Sequence, residues 1–383
     1  MLYIHHATIL TPHTTIPDGA ILIDRGRIVA VGPGQNIPRP EDIPTIDATG
    51  LTLVPGFIDL QLNGGFGHDF TQNPETIWTV AAKLPQTGVT TFLPTIITSP
   101  LHAVEQAQKQ WQEGRPASFG GAEPMGLHLE GPFLHPNKKG AHNPRWLRRP
   151  SLEAIRSWTW ENGIRLVTLA PELPQALDLI TVLASRGIIV SAGHSQATLE
   201  EATTGFNAGI RYATHLFNAM TAMHHREPGL VAAALSDPRL IIGILPDGIH
   251  VHPHWVKLAW QLTGPNRLNL VTDAMAALLM PPGTYYLADQ TVIVDETGAH
   301  LADGTLAGSV ISMDQALRNL MAYTGCSLKE ALPTVTSTPA DLLGLGQRKG
   351  TIAPNYDADL VLLDVRQRVQ KVLLAGEIIY SRD

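Results

Sequence analysis

The chain is poor in the features that would assign it quickly to several common classes. Its 383 residues contain one cysteine, Cys326, which excludes an internal disulfide and a cysteine-type zinc site. Lys and Arg are outnumbered, the net charge is −7 and no basic run is present. That argues against nucleic acid or an anionic membrane as a partner. No apolar run approaches the ~18 residues a membrane helix needs. The start, Met1-Leu-Tyr-Ile-His-His, lacks a basic segment followed by a long apolar core, so no signal peptide is expected and the cytoplasm is the expected location.

What remains is a hydrophobic chain, 44% by composition, with 34 glycines and 29 prolines spread along it as turn punctuation. Its length suits two or three domains, or one α/β barrel of about 250 residues with an accessory part. Residues 1 to about 54 read as all-β, with short strands at Ala20–Asp24, Arg27–Val31 and Thr45–Asp47. The C-terminal end repeats that style at Asp359–Leu363, Val369–Leu374 and Ile378–Tyr380. Neither end has enough strands alone. The expectation is one small β-sandwich domain from residues 1–54 plus 347–383, around a central catalytic unit over 55–346.

The central part follows a different rhythm. Eight β-rich runs stand at 53–60, 90–95, 126–130, 165–170, 188–192, 212–216, 240–245 and 268–272, with helical stretches between most of them. Gly187 to Asn218 is representative: an apolar run ending at His194, helix formers from Thr198, a glycine stop at Gly209, then a second run ending at His215. Eight βα repeats predict a TIM-like (β/α)8 barrel, with a doubly wound sheet as the alternative. An excursion at about 284–305 alternates apolar and polar residues, includes the Asp303-Gly304 turn and is expected to be a β-hairpin.

Polar residues gather where those runs end. The first leads to Gln61 and Asn63, the third to His128 and Glu130, and the fifth and sixth to His194 and His215. The seventh leads to Asp247 and His250, and the eighth to Asp273. Barrels keep their chemistry on that face. Glu130, His194 and His215 supply the carboxylate and two imidazoles of a three-ligand catalytic zinc site with one open position. Asp273 is placed to take a proton from water and pass it to a leaving amine. His128 shares strand parity with Glu130, but a buried supporting role suits it better.

The motifs Val54-Pro-Gly-Phe-Ile-Asp59, Gly126-Leu-His-Leu-Glu-Gly-Pro132, Lys139-Gly-Ala-His142, Ser191-Ala-Gly-His194, Thr214-His-Leu-Phe-Asn-Ala-Met220, Asp247-Gly-Ile-His250 and Leu270-Val-Thr-Asp-Ala274 together resemble the N-acetylglucosamine-6-phosphate deacetylases of the amidohydrolase superfamily. The resemblance runs over essentially the whole chain. It implies metal-dependent hydrolysis of the acetamide of a 6-phosphosugar, with Glu130, His194 and His215 on the metal and Asp273 as general acid/base. It also implies that His142, with Ala141, contacts and polarises the acetamido group. Asn218, Ala219, Arg226 and His250 would bind the sugar phosphate, and Leu306, Ala307, Gly308 and Ser309 would form the loop over the substrate. Some phosphate contacts would come from a neighbouring subunit, so a homodimer is implied. Many amidohydrolases hold a second metal on a His-x-His pair; here Gln61 and Asn63 occupy those places, and amides are poor zinc ligands. One divalent ion per subunit is therefore expected, zinc first, though iron would accept the same donors. The alternatives are the galacto epimer as substrate, a cyclic-amide hydrolase, disfavoured by the lack of a strand-end lysine, and a non-catalytic interaction module.

Overall fold

The computed structural model describes residues 1–11 and 14–382. Eight parallel strands wind a barrel: β1 Phe57–Leu62, β2 Val89–Ile97, β3 Leu127–Glu130, β4 Ile164–Leu169, β5 Ile189–Ala192, β6 Ile210–Ala213, β7 Ile241–Ile244 and β8 Leu268–Leu270. Each pairs with the next from β1 to β8. Both faces of such a sheet are covered, so the strands read as continuous apolar runs; all nine residues of β2 are buried. Ile58, Leu60, Leu93, Leu166, Tyr212 and Val271 pack with Ala340 and Leu343 in one cluster. A larger cluster joins the outward strand residues to the helices.

The seam between β8 and β1 is closed differently. Leu62 bridges Ala274, and the Asp273 N–H donates to the Gln61 carbonyl at 2.9 Å. Below them the buried Asp59 carboxylate accepts from the Thr272 hydroxyl at 2.6 Å and from the Gln61 N–H at 3.2 Å. A side chain there does what strand pairing does elsewhere.

Local sequence explains the connecting helices. Leu199–Ala208 starts with a capping box, in which Thr198 and Glu201 satisfy each other's backbone N–H groups, and it stops at Gly209. The first predicted run, 53–60, proves to be two strands. Thr52–Pro55 belongs to the terminal sheet, and only from Phe57 does the chain enter the barrel. The break falls at Gly56, where a Cβ would lie 2.1 Å from Thr90 Oγ1, so only glycine lets the chain pass between the two sheets.

The termini form one eight-stranded sheet. Its order is Glu377–Ser381, Val369–Leu374, Leu360–Leu363, Thr52–Pro55, Leu2–Leu10, Thr15–Asp24 and Arg27–Pro33, with Thr45–Asp47 also paired to Leu2–Leu10. It carries its own apolar cluster, including Ile4, Ile9, Ile21, Leu53 and Leu360. The excursion after β8 is a three-stranded antiparallel meander, Gly283–Leu287, Gln290–Asp295 and Gly298–His300, one strand more than a hairpin. Leu287, Val292 and Val294 pack with Ala141, Met275 and Ala307, which ties the meander to the barrel mouth. Among the described residues no helix is long and apolar enough to cross a membrane.

Candidate active site

The carboxyl ends of the strands surround a cavity of about 490 Å3. Glu130 is the last residue of β3, while His194, His215 and Asp273 each follow their strand by two or three residues. Those three have φ of 49°, 27° and 46°. The left-handed turn ends each strand and turns the side chain inward, at a cost of about 1–3 kcal/mol per non-glycine residue. Strain of that kind is kept where surrounding contacts over-determine it, and here the contacts are those of the cavity floor.

At that floor three ligand-type atoms meet. Glu130 Oε1 lies 3.1 Å from His194 Nε2 and 2.9 Å from His215 Nε2, and the two imidazole nitrogens are 3.0 Å apart. The tautomer of His194 follows from its other nitrogen. Nδ1 faces the Lys138 carbonyl at 2.8 Å, and a carbonyl only accepts, so Nδ1 carries the proton and Nε2 presents a lone pair. His215 Nδ1 is buried with no hydrogen-bond partner among the described residues. Burial by itself would raise the Glu130 carboxyl, but the close imidazoles of His194 and His215 hold it well below its ordinary range. Burial opposes charge on His215 too, yet the Glu130 contact raises its pKa. A carboxylate and two inward imidazoles, all nearly inaccessible, fit a divalent transition metal.

Gln61 and Asn63 stand beside this cluster. Gln61 Nε2 donates to Glu130 Oε1 and to Asp273 Oδ1, both at 3.1 Å, and Asn63 Nδ2 donates to Asp273 Oδ1 at 2.7 Å. A carboxylate only accepts, so the atoms facing it must be the amide NH2 groups. Where a second metal would need lone pairs, this chain presents donors. The opposite amide oxygens are buried without a partner among the described residues. Burial, then repulsion from Glu130, pushes the Asp273 carboxyl up to about 6. A bound cation would act in the opposite sense.

His142 lies 3.8 Å from Glu130 Oε2 through Nε2, while its Nδ1 accepts the Thr98 backbone N–H at 3.3 Å. That leaves the proton on Nε2, directed into the cavity. Burial and the neighbouring His194 push its pKa down to about 3, so the ring stays neutral and donates. Ala141, Asn218, Ala219, His250, Leu306 and Gly308 line the cavity as well. The His250 ring is held by Asp247, Nδ1 to Oδ2 at 2.6 Å.

Three predicted residues stand elsewhere. Ala307 is fully buried behind the wall, and Ser309 is directed downward, its hydroxyl donating to the Thr272 carbonyl at 2.5 Å. Arg226 lies on an exposed loop outside the cavity, its guanidinium 2.8 Å from His225 Nε2. His128 is wholly buried between Thr95 and Thr168, 3.2 and 2.8 Å from their hydroxyls. Asn137, Lys138, Leu287 and Thr305 also line the cavity and were not expected there. The first two adjoin Lys139-Gly-Ala-His142, so that motif's N-terminal flank could have found them. Leu287 arrives with the meander, which carries no local signal for which wall it covers.

Comparison with known proteins agrees with this geometry. Residues 52–379 match the family model of the amidohydrolase family. The N-acetylglucosamine-6-phosphate deacetylase of Bacillus subtilis is 36% identical over 386 residues, covering 99% of this chain and 97% of that protein. The crystal structure of the enzyme of that name from Pasteurella multocida superposes with a TM-score of 0.93 at 32% identity, covering all of both chains. That of a mutant from Mycobacterium smegmatis, in complex with N-acetyl-D-glucosamine-6-phosphate, gives 0.91 at 33% identity and covers 99% of each.

Proposed function

The chain belongs to the amidohydrolase family and, within it, to the N-acetylglucosamine-6-phosphate deacetylases, and we propose that it works with a single zinc ion held by Glu130, His194 and His215. It hydrolyses N-acetyl-D-glucosamine 6-phosphate to D-glucosamine 6-phosphate and acetate, a step in amino-sugar metabolism. The observation that supports the metal assignment is the meeting of Glu130 Oε1, His194 Nε2 and His215 Nε2 at one point of the cavity floor.

A divalent ion supplies Lewis-acid charge to an amide carbonyl and lowers the pKa of water. The chain's own residues do the rest. His142 donates from Nε2 to the acetamido oxygen, and its neutral state follows from the Thr98 N–H on Nδ1. Asp273 accepts the proton of the attacking water and returns it to the sugar nitrogen as the C–N bond breaks. Asn63 and Gln61 hold Oδ1 of Asp273, so Oδ2 is the oxygen that moves the proton. Asn218, Ala219 and His250 form the same-chain part of the sugar-phosphate subsite. Arg226, with forked donors suited to phosphate, reaches it from a second subunit of a homodimer. Leu306 and Gly308 lie over the substrate, and Ala307 and Ser309 hold that loop to the barrel. The enzyme is cytoplasmic in this reading. Its terminal unit comprises residues 1–54 and 347–383, and its barrel unit residues 55–346.

The test is acetate release from the gluco and galacto 6-phosphosugars, before and after chelation and on readdition of zinc. Chelator-sensitive turnover of the gluco epimer supports the reading. Full turnover in metal-free protein sinks the metal assignment, and preference for the galacto epimer moves the substrate.

A further inference from the structure

The terminal sheet brings together a second group of metal-ligand atoms, remote in sequence from the first. His5 Nδ1 lies 3.0 Å from His6 Nδ1, and His6 Nδ1 lies 3.3 Å from Asp47 Oδ1. All three ligand atoms fall within 4.8 Å of one another. Successive strand residues normally point to opposite faces, so two adjacent histidines should not converge. They do because the strand Leu2–Leu10 bulges here. Ile4 pairs with Ile21 and Ala7 with Gly19, which leaves one residue extra on the histidine strand. His6 takes up the bulge with φ of 61°. The His5 ring stacks on Tyr3, centroids 5.6 Å apart, and Tyr3 is anchored through its hydroxyl to the Ile37 carbonyl at 2.9 Å. Asp47 sits opposite His5 in the parallel ladder, and its Oδ1 accepts from the N–H and hydroxyl of Thr49. His5 and Asp47 are therefore each oriented by a neighbour, and His6 by the bulge.

Protons alone satisfy this cluster poorly. If His6 Nδ1 carries a proton directed at Asp47, its approach to His5 Nδ1 brings a second nitrogen to 3.0 Å without a hydrogen between them. If His5 donates to His6 instead, a bare His6 nitrogen faces the carboxylate oxygen. The first choice leaves the His6–His5 approach without a directed hydrogen bond, and the second leaves two acceptors in contact. A cation at the common centre relieves both. Two ligands about 2.1 Å from a tetrahedral ion stand roughly 3.4 Å apart, close to the spacings seen.

We propose that His5, His6 and Asp47 form a second metal site, taking a divalent transition ion such as zinc, nickel or copper. Imidazole nitrogens favour those ions over magnesium or calcium. The site staples the strand Leu2–Leu10 to Thr45–Asp47, just before the former changes its pairing to Thr52–Pro55. His6 and Asp47 are exposed, so this ion exchanges more readily than one at the buried Glu130 cluster. Its role is to hold the terminal sheet, and hydrolysis proceeds without it.

The experiment is equilibrium dialysis of the chelator-stripped full chain against zinc, with bound metal counted per chain. The variants are His6→Asn, whose side chain tolerates a left-handed backbone, and Asp47→Asn, which keeps the shape. The expected result is one ion fewer in each variant than in the native protein, with circular dichroism and deacetylase turnover unchanged. His194→Ala should lose the other ion and keep this one, which separates the two sites. Copper loaded into the His194→Ala protein should show two-nitrogen coupling by electron paramagnetic resonance, halved in His6→Asn. Equal metal content in the native protein and both variants overturns the proposal and leaves the contact a hydrogen bond between histidines.

Discussion

Asn63 Nδ2 donates to Oδ1 of Asp273 at 2.7 Å, tying the end of β1 to the end of β8 across the barrel seam. The bond fixes which carboxylate oxygen is free and favours the ionised form of a group that burial drives towards neutrality. Asn63→Ala removes a charge-assisted bond of about 1.5–3 kcal/mol. Turnover should fall roughly ten- to a hundred-fold, and the acid side of the pH–rate profile should move to higher pH. An unmoved profile would show that Asn63 does not set the state of Asp273.

Asp273 itself separates chemistry from metal binding. Asp273→Asn should lower kcat by about 10²–10⁴ while zinc content stays at the native value. In the native enzyme the carboxylate must be ionised to accept a proton, so rate falls as pH drops through its pKa. Burial places that pKa near 6, and a bound cation lowers it, so the acid limb should lie below pH 6. A limb above pH 7 in zinc-loaded enzyme would contradict the assignment.

Which parts of this arrangement could be read from the chain follows from how each is specified. Parallel barrel strands are covered on both faces, so β2 or β5 announces itself as an apolar run, and the polar residue that stops it marks the mouth. That is why Glu130, His194, His215 and Asp273 were legible. The split at Gly56 was not, because Val54-Pro-Gly-Phe reads as one run until Thr90 is packed against it. The strand Leu2–Leu10 was also hidden: His5-His6 breaks its alternation, and the bulge that explains the break exists only once Thr15–Asp24 is paired. Ser309 and Ala307 lie in a motif, but a motif does not say which side of a loop faces the substrate.

Asp59 makes the seam sensitive to pH. Burial raises its carboxyl from 3.8 to about 7. The folded state thus prefers the protonated acid. Its stabilising contribution is complete below the unfolded pKa and is lost as pH rises through about 7. Asp59→Asn keeps an acceptor for the Gln61 N–H and has no proton to lose. The native stability should therefore fall relative to the variant between about pH 4 and 7, by an amount on the order of a few kcal/mol, and the melting temperature with it. Parallel melting curves for the two proteins across that range would show that Asp59 does not titrate in the fold.

Arg226 offers the sharpest test of assembly, because it lies outside the cavity of its own chain. If it serves a neighbouring site, Arg226→Ala and Asp273→Asn are each inactive for reasons located in different subunits. Unfolding them together and refolding gives hybrid dimers with one damaged and one intact site. In the intact site Asp273 comes from the Arg226→Ala chain and Arg226 from its partner. Random pairing makes half the dimers hybrid, so about a quarter of native activity should return. If Arg226 acts within its own subunit, every hybrid site lacks one group or the other only where its own chain does, and mixing restores nothing.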